Sequence, residues 1–264
     1  VQGTPKVLHA GQGGLMDVAI DPEYGQNGWI YLAYSHELKQ GDSRNPAMTR
    51  IVRGKIKDHR WTEEQVIYEA PHHTYRTTRH HYGCRIVFDP EGHLYFSIGD
   101  RGAKEQAQQL DRPNGKIHRI NRDGSIPQDN PFVGRDDALP TIFAYGERNA
   151  QGLAVHPQTG EVWEVEHGPM GGDEINVIQA GNNYGWPVIT YGRNYNGTII
   201  TEKTHQEGME QPIPNFKPSI AVSGSDFYTG NEFPRWNNHL LVSALKFEEV
   251  QLHRVYEHRV MHTE

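Results

Sequence analysis

Histidine and glutamine side chains that could do chemistry stand in glycine-rich segments just ahead of apolar stretches. His81, within HHYGCR at residues 80–85, carries an imidazole that titrates near neutrality, which suits a base that accepts a hydroxyl proton. The chain has 16 histidines, so an ordinary surface or hydrogen-bonded histidine is the alternative. Gln12, within GQGG at residues 11–14, could present its amide to a flat ligand, or could simply occupy a tight entry to a strand.

Three further segments offer groups for anions and cations. Arg148 and Asn149, within GERNAQG, could grip a carboxylate of a planar cofactor or could satisfy the carbonyls of a turn. The segments EHGPMGGDEIN at residues 166–176 and GNNYGWP at residues 181–187 combine irregular backbone with acidic side chains. Such a combination is found in oxygen-ligated Ca²⁺ sites and in solvated acidic turns, and both interpretations stay open.

The elements that must position these segments form a repeat of about 68 residues. Each copy begins at a glycine, continues as an alternating strand, turns, and continues as a second strand. The copies begin at Gly14, Gly83, Gly152 and, more loosely, Gly224. A third strand is predicted after each hairpin, at Thr49–Ile56, Lys116–Asn121, Asp173–Ile178 and Val250–Val255.

Four such units predict an all-β protein, a β-propeller with about four blades' worth of sequence. The 28 glycines and 16 prolines suit many short strands, while 8 Phe, 5 Trp and 13 Tyr are enough to build a core. No linker divides the chain, so we expect a single domain over residues 1–264. Propeller loops at one end meet on the axis, so the polar segments are predicted to share a site.

Composition excludes several other classes. The net charge of −7 with scattered basic residues argues against nucleic acid and anionic lipid as partners. No apolar run approaches the roughly 18 residues of a membrane span. The single Cys84 excludes an internal disulfide and a cysteine-built zinc site, and its expected role is that of a small buried hydrophobe. The pair His72-His73 lacks a third ligand at regular spacing.

Six motifs in order carry a resemblance to a known family. GQGGLMDV, HYGCR, GERNAQGLA, EHGPMGGDEIN, NNYGWP and SALK resemble the soluble aldose sugar dehydrogenases of the glucose/sorbosone dehydrogenase family, over essentially all 264 residues. The resemblance implies a six-bladed propeller with pyrroloquinoline quinone (PQQ) on the axis and Ca²⁺ bridging it to the protein. Because family members extend further at both ends, it also implies that the chain lacks N- and C-terminal portions, including a basic Arg-x-Arg loop.

The resemblance assigns roles to individual residues. His81 corresponds to the general base that takes the anomeric hydroxyl proton while hydride passes to PQQ. The carbonyls of Gly168 and Pro169 correspond to ligands of the PQQ-bound Ca²⁺. Glu174 and the Tyr184 carbonyl correspond to a second, structural Ca²⁺ site. The positions that match PQQ contacts are Gln12, Arg148, Asn149, Tyr195, Ala244, Leu245 and Lys246.

The implied activity is the PQQ- and calcium-dependent oxidation of aldoses to lactones by a periplasmic or secreted monomer or homodimer, with a separate electron acceptor. The alternative is a non-catalytic propeller that binds protein or carbohydrate, since propellers serve many functions. The joint presence of His81, Arg148-Asn149 and Lys246 favours the enzyme, because a binding module has little use for this combination. A calcium-dependent hydrolase is disfavoured because no Asp/Glu set was recognised on the loops that lead the repeats.

Overall fold

The protein is described by a computed structural model that covers residues 1–39, 44–256 and 259–262. Its strands form four antiparallel sheets of four strands each, and within each sheet the strands are hydrogen-bonded in chain order. The first two sheets contain β1 (Leu15–Ile20), β2 (Ile30–Glu37), β3 (Ala47–Lys57), β4 (Arg60–Glu69), β5 (Ile86–Phe88), β6 (His93–Ile98), β7 (Lys116–Asn121) and β8 (Ile142–Tyr145).

The second half of the chain repeats this plan. Its two sheets contain β9 (Ala150–Val155), β10 (Val162–Glu166), β11 (Asp173–Ile178), β12 (Asn215–Phe216), β13 (Val222–Phe227), β14 (Leu240–Ala244), β15 (Glu249–Tyr256) and β16 (Arg259–His262). Helical segments in the described residues are short: α1 (Tyr24–Asn27) and three 3₁₀ turns at His72–Thr74, Lys104–Gln108 and Pro234–Trp236. None of these is long and apolar enough to span a membrane.

The sheets are arranged as successive blades of a β-propeller. The first strand of each sheet contacts the first strand of the next, so β1, β5, β9 and β13 are neighbours in that order. This arrangement places the first strands innermost and confirms the predicted all-β propeller. The first three strands of each predicted unit are present, within a few residues of their expected bounds. The fourth strands, β4, β8, β12 and β16, were not predicted.

Apolar side chains between adjacent sheets form the core. Phe96 and Ile51 belong to a cluster between the first and second sheets, Leu153 to one between the second and third, and Trp163 to one between the third and fourth. A sheet with neighbours on both faces buries successive side chains, as in β6 and β10, whereas β14 keeps an alternating pattern. Cys84 is completely buried in the first cluster, which confirms its predicted packing role.

Candidate active site

The segments that precede three innermost strands line one cleft. Gln12 lies ahead of β1, His81 ahead of β5, and Arg148 and Asn149 directly ahead of β9. These three strands are neighbours, and the loops before them line one cleft, as expected for loops at one end of a propeller. The cleft has a volume of about 610 Å³, and six of the site residues predicted from the sequence line it: Gln12, His81, Arg148, Asn149, Tyr195 and Leu245.

His81 is held in a defined orientation at the wall of this cleft. Its Nδ1 lies 2.7 Å from Asp100 Oδ1, and its main-chain N–H donates to Gln12 Oε1 at 2.7 Å. Asp100 also accepts hydrogen bonds from Trp186 Nε1 at 2.9 Å and from the main-chain N–H of Gly102 at 2.8 Å. An ionised carboxylate can only accept, so Nδ1 of His81 carries the proton and Nε2 keeps a free lone pair.

The ionisation of Asp100 follows from these contacts. Burial by itself raises the pKa of this carboxyl, but the hydrogen bonds from His81 and from the Gly102 N–H, together with the charge of Arg148, outweigh burial and lower the pKa below its usual value. Asp100 is almost completely buried, so its negative charge is screened little by solvent. The pair therefore resembles the base and orienting carboxylate of many hydrolytic and redox sites, with the imidazole as the proton acceptor.

Arg148 and Asn149 are fixed mainly by main-chain contacts. Their two N–H groups donate to Glu166 Oε2 at 2.6 and 3.0 Å. The Arg148 guanidinium donates to the carbonyls of His167 and Gly168 at 2.7 and 2.8 Å. Asn149 Oδ1 accepts from the main-chain N–H of Gly83 at 3.1 Å, which ties the loop before β9 to the loop before β5. Both residues thus perform the turn-stabilising role that was the alternative to ligand binding, while they also face the cleft.

A second cleft of about 660 Å³ adjoins the first, and His167 and Tyr195 line both. Lys246, two residues after the end of β14, lies in this second cleft and not in the first, together with Arg193 and Lys217. Tyr195 is 75% exposed, so its ring is available to a ligand that bridges the two clefts. Ala244 lines neither cleft, because its side chain is buried in the core cluster between the third and fourth sheets.

The four residues predicted to bind metal surround one small cavity. Gly168, Pro169, Glu174 and Tyr184 all line it, and its volume of about 10 Å³ is room for about one water molecule or ion. Burial, followed by the charge of Glu166, raises the pKa of Glu174 well above its usual value. A buried carboxylate beside main-chain carbonyls is the oxygen-rich donor set that Ca²⁺ prefers, so the residues fit such an ion. The sequence assigned them to two separate Ca²⁺ positions, whereas in the fold they share one cavity.

Other residues of the site were not recognised in the sequence. Asp100 received no role, and neither did Trp186 or Glu166, although the last two lie inside quoted motifs. Strands β5 and β6 are antiparallel, so a residue just after β6 lies at the same end as the loop before β5. That rule could have found Asp100, and Glu166 at the end of β10 by the same reasoning. His72, by contrast, contacts the carboxylate of Glu69 on an outer strand and lines neither cleft.

Comparisons with known proteins agree on one family. Residues 1–264 match the family model described as Glucose / Sorbosone dehydrogenase. The chain is 40% identical over 254 residues to the aldose sugar dehydrogenase YliI of Escherichia coli, which covers 95% of this chain and 67% of that protein. The solved apo-form of the soluble aldose sugar dehydrogenase from Escherichia coli has a TM-score of 0.92 at 38% identity, over 99% of this chain and 75% of that one.

A more distant relative has a cofactor bound. The PQQ-bound aldose sugar dehydrogenase of Streptomyces coelicolor has a TM-score of 0.74 at 24% identity, over 98% of this chain and 68% of that one, and therefore shares the fold. The chain spans about two thirds of the Escherichia coli relative's length, and 58% of a second curated relative from Synechocystis that is 38% identical to it.

Proposed function

The chain belongs to the glucose/sorbosone dehydrogenase family, and on that basis we propose that it is a sugar dehydrogenase that oxidises aldoses at the anomeric carbon to lactones with bound PQQ. The observation that supports this most strongly is the pair formed by His81 and the buried Asp100 at 2.7 Å, at the wall of a cleft lined by further polar groups. A binding-only propeller has no need for a base with a buried carboxylate behind it.

The two adjoining clefts fit PQQ in size and charge. PQQ is planar and carries three carboxylates and an ortho-quinone, so it needs cations at its edge and flat surfaces at its faces. Lys246, Arg193 and Lys217 supply positive charge in the second cleft, and the exposed Tyr195 ring lies where the clefts meet. When bound, PQQ supplies a quinone that accepts the hydride from the sugar carbon. Gln12 and Leu245 would contact it from the first cleft.

His81 acts as the general base in this proposal. Its Nε2 accepts the proton of the anomeric hydroxyl as the C–H bond of the same carbon breaks. Asp100 does not take the proton, but it holds Nδ1–H and stabilises the imidazolium that forms. Trp186 and the Gly102 N–H fix Asp100 in turn, so the base cannot rotate away from the cleft.

We assign Ca²⁺ to the small cavity lined by Gly168, Pro169, Glu174 and Tyr184, which shares Arg148 with the first cleft. The Gly168 carbonyl also accepts from Arg148, so an ion there and the cofactor loop would stabilise one another. A cation next to the quinone would polarise it as a Lewis acid. We further propose a periplasmic or secreted location, a separate electron acceptor, and a single propeller domain for residues 1–264.

The test is the exchange of His81 for glutamine, which keeps a polar side chain but cannot accept a proton. We expect His81→Gln to retain PQQ binding, measured by fluorescence quenching, and to lower aldose-dependent dye reduction by about 10²- to 10⁴-fold. The matched control is His73→Gln, an exposed histidine outside the clefts, which should leave both measurements unchanged. Unchanged turnover in His81→Gln would remove His81 from the mechanism.

A further inference from the structure

Three glutamates meet in the interior behind the cofactor loop. Glu147 lies just before β9, and Glu164 and Glu166 lie on β10. One carboxylate oxygen from each lies within 4.8 Å of the corresponding oxygens of the other two, and all three side chains are buried. We call these three residues the glutamate cluster. It adjoins the cavity assigned above, because Glu166 lines that cavity as well, whereas neither Glu147 nor Glu164 does.

The protein supplies too few donors to satisfy this cluster. Among the described residues, both carboxylate oxygens of Glu147 lack a hydrogen-bond partner, although the residue is 0% exposed, and Oε1 of Glu164 lacks one as well. Oε2 of Glu164 accepts from Asn176 at 3.1 Å. A buried carboxylate without partners is very costly, so a group that balances it is expected.

The nearest buried cation does not serve this purpose. Lys116 Nζ donates to the carbonyls of Gln106, Ala107 and Asn114 at 2.9, 2.8 and 2.9 Å, which uses all three of its N–H bonds. Burial also lowers the pKa of Lys116 to about 7, so its positive charge is easily lost. Lys116 therefore adds favourable charge at a distance but leaves the oxygens of Glu147 without a direct contact.

We propose that Glu147, Glu164 and Glu166 together bind a divalent cation, and that this cation is Ca²⁺. Oxygens on opposite sides of a Ca²⁺ ion lie about 5 Å apart, which matches the spacing of the cluster. The donors are all oxygens, which disfavours zinc and other metals that prefer nitrogen or sulfur. Mg²⁺ retains several of its waters, and a closed interior offers it little room.

Burial and the neighbouring carboxylates raise the pKa of Glu147 and Glu164 well above their ordinary value, so without a cation these groups would hold protons. Protonation is therefore the competing solution. The two solutions differ in their consequence for the site: a cation would fix Glu166, whose Oε2 holds the main-chain N–H groups of Arg148 and Asn149. Occupancy of the cluster would then stabilise the loop before β9.

The experiment measures bound calcium and thermal stability, and needs neither PQQ nor sugar. Purified protein is treated with EGTA, re-equilibrated with Ca²⁺, and analysed by equilibrium dialysis with elemental analysis and by thermal unfolding. We expect Glu147→Gln and Glu164→Gln each to lose one bound Ca²⁺ per chain and the part of the Ca²⁺-dependent rise in Tm that this ion provides. After EGTA, both variants should match or exceed the Tm of the wild type, because a neutral amide needs neither a cation nor a proton to be buried.

Two control variants separate this site from others. Glu91→Gln changes the exposed member of the group Asp89, Glu91 and His93, outside both clefts, and should leave calcium content unchanged. Glu174→Gln alters the neighbouring cavity, and the ion lost there should be additional to the one lost in Glu147→Gln. Wild-type calcium content and Ca²⁺-dependent Tm in Glu147→Gln would overturn the proposal in favour of protonated glutamates.

A measurement on the wild type covers the case in which the variants do not fold. Crystals soaked in Tb³⁺, a Ca²⁺ substitute with a strong anomalous signal, should show a peak between the three carboxylates. A peak elsewhere with none at the cluster would contradict the assignment.

Discussion

Exchange of Asp100 for asparagine tests the orientation of the proposed base. Asp100 accepts two N–H groups on Oδ1, from His81 and Gly102, and one on Oδ2, from Trp186. The asparagine NH₂ must replace one of these oxygens. If it replaces Oδ2, it opposes the Trp186 N–H; if it replaces Oδ1, it opposes the Gly102 N–H and forces His81 to protonate Nε2 instead. Each orientation leaves one N–H without an acceptor, so both are populated.

The expected loss has two sources. The fraction of protein with the wrong tautomer has no base, and the remainder loses the carboxylate charge that stabilises the imidazolium. Two unit charges about 4 Å apart interact by about 4 kcal/mol at an effective dielectric constant of about 20, which corresponds to about 10³-fold in rate. Because the imidazolium is only partly formed in the transition state, we expect kcat to fall by about 10²- to 10³-fold.

The assay is steady-state, aldose-dependent dye reduction by PQQ-loaded protein, with ¹⁵N chemical shifts of the His81 ring as a readout of the tautomer. Asp89→Asn is the matched control, since Asp89 makes the same kind of contact to His93 Nδ1, at 2.8 Å, away from the clefts. We expect that variant to keep its activity. If Asp100→Asn showed kcat within about threefold of the wild type and an unchanged His81 tautomer, the role given to Asp100 would be wrong.

Three further predictions concern the fold. Burial lowers the pKa of His118 to about 3, so below about pH 6.5 the unfolded chain binds a proton that the folded chain does not, and stability falls as the pH drops. In denaturant unfolding, the free energy of unfolding of the wild type relative to His118→Phe should fall by about 2–3 kcal/mol from pH 7 to 4.5, and a difference that stays constant with pH would refute this origin. A Cβ on Gly168 would lie 1.5 Å from the Gly172 carbonyl oxygen, whereas one on Gly25 meets nothing within 4 Å. Gly168→Ala should therefore lower the free energy of unfolding by more than about 2 kcal/mol, while Gly25→Ala should raise it or leave it unchanged. Equal effects of the two substitutions would contradict the packing around Gly168. Burial raises the pKa of the Cys84 thiol, so it should react with a thiol reagent only in denaturant, and rapid reaction of native protein would count against its burial.

Much of the fold could be predicted because inner strands obey simple rules. β6, a run of mostly buried side chains, and β14, in which buried side chains alternate, have the bounds that the sequence predicted. The outer strands lack a recognisable sequence pattern. β12 has only two residues, and β4 is largely polar because its outer face meets solvent. Their pairing depends on the partner strand, which local sequence does not specify.

The candidate site was partly predictable for a similar reason. Gln12, His81 and Arg148 lie in glycine-rich loops before recognisable strands, so the repeat brings them together. The hydrogen bond between Asp100 and Trp186 spans 86 positions, and no local pattern indicates it. The burial of Ala244 depends on the side to which one strand residue points, which shifts with a single residue of register.

Reconstitution of the purified full-length protein with PQQ and Ca²⁺, followed by aldose-dependent dye reduction with and without chelator, tests the proposed function most directly. We predict PQQ binding, dye reduction that requires both the sugar and PQQ, and loss of that reduction when the chelator is present before PQQ is added. Absence of both PQQ binding and dye reduction would contradict the sugar dehydrogenase and favour a propeller that only binds protein or carbohydrate.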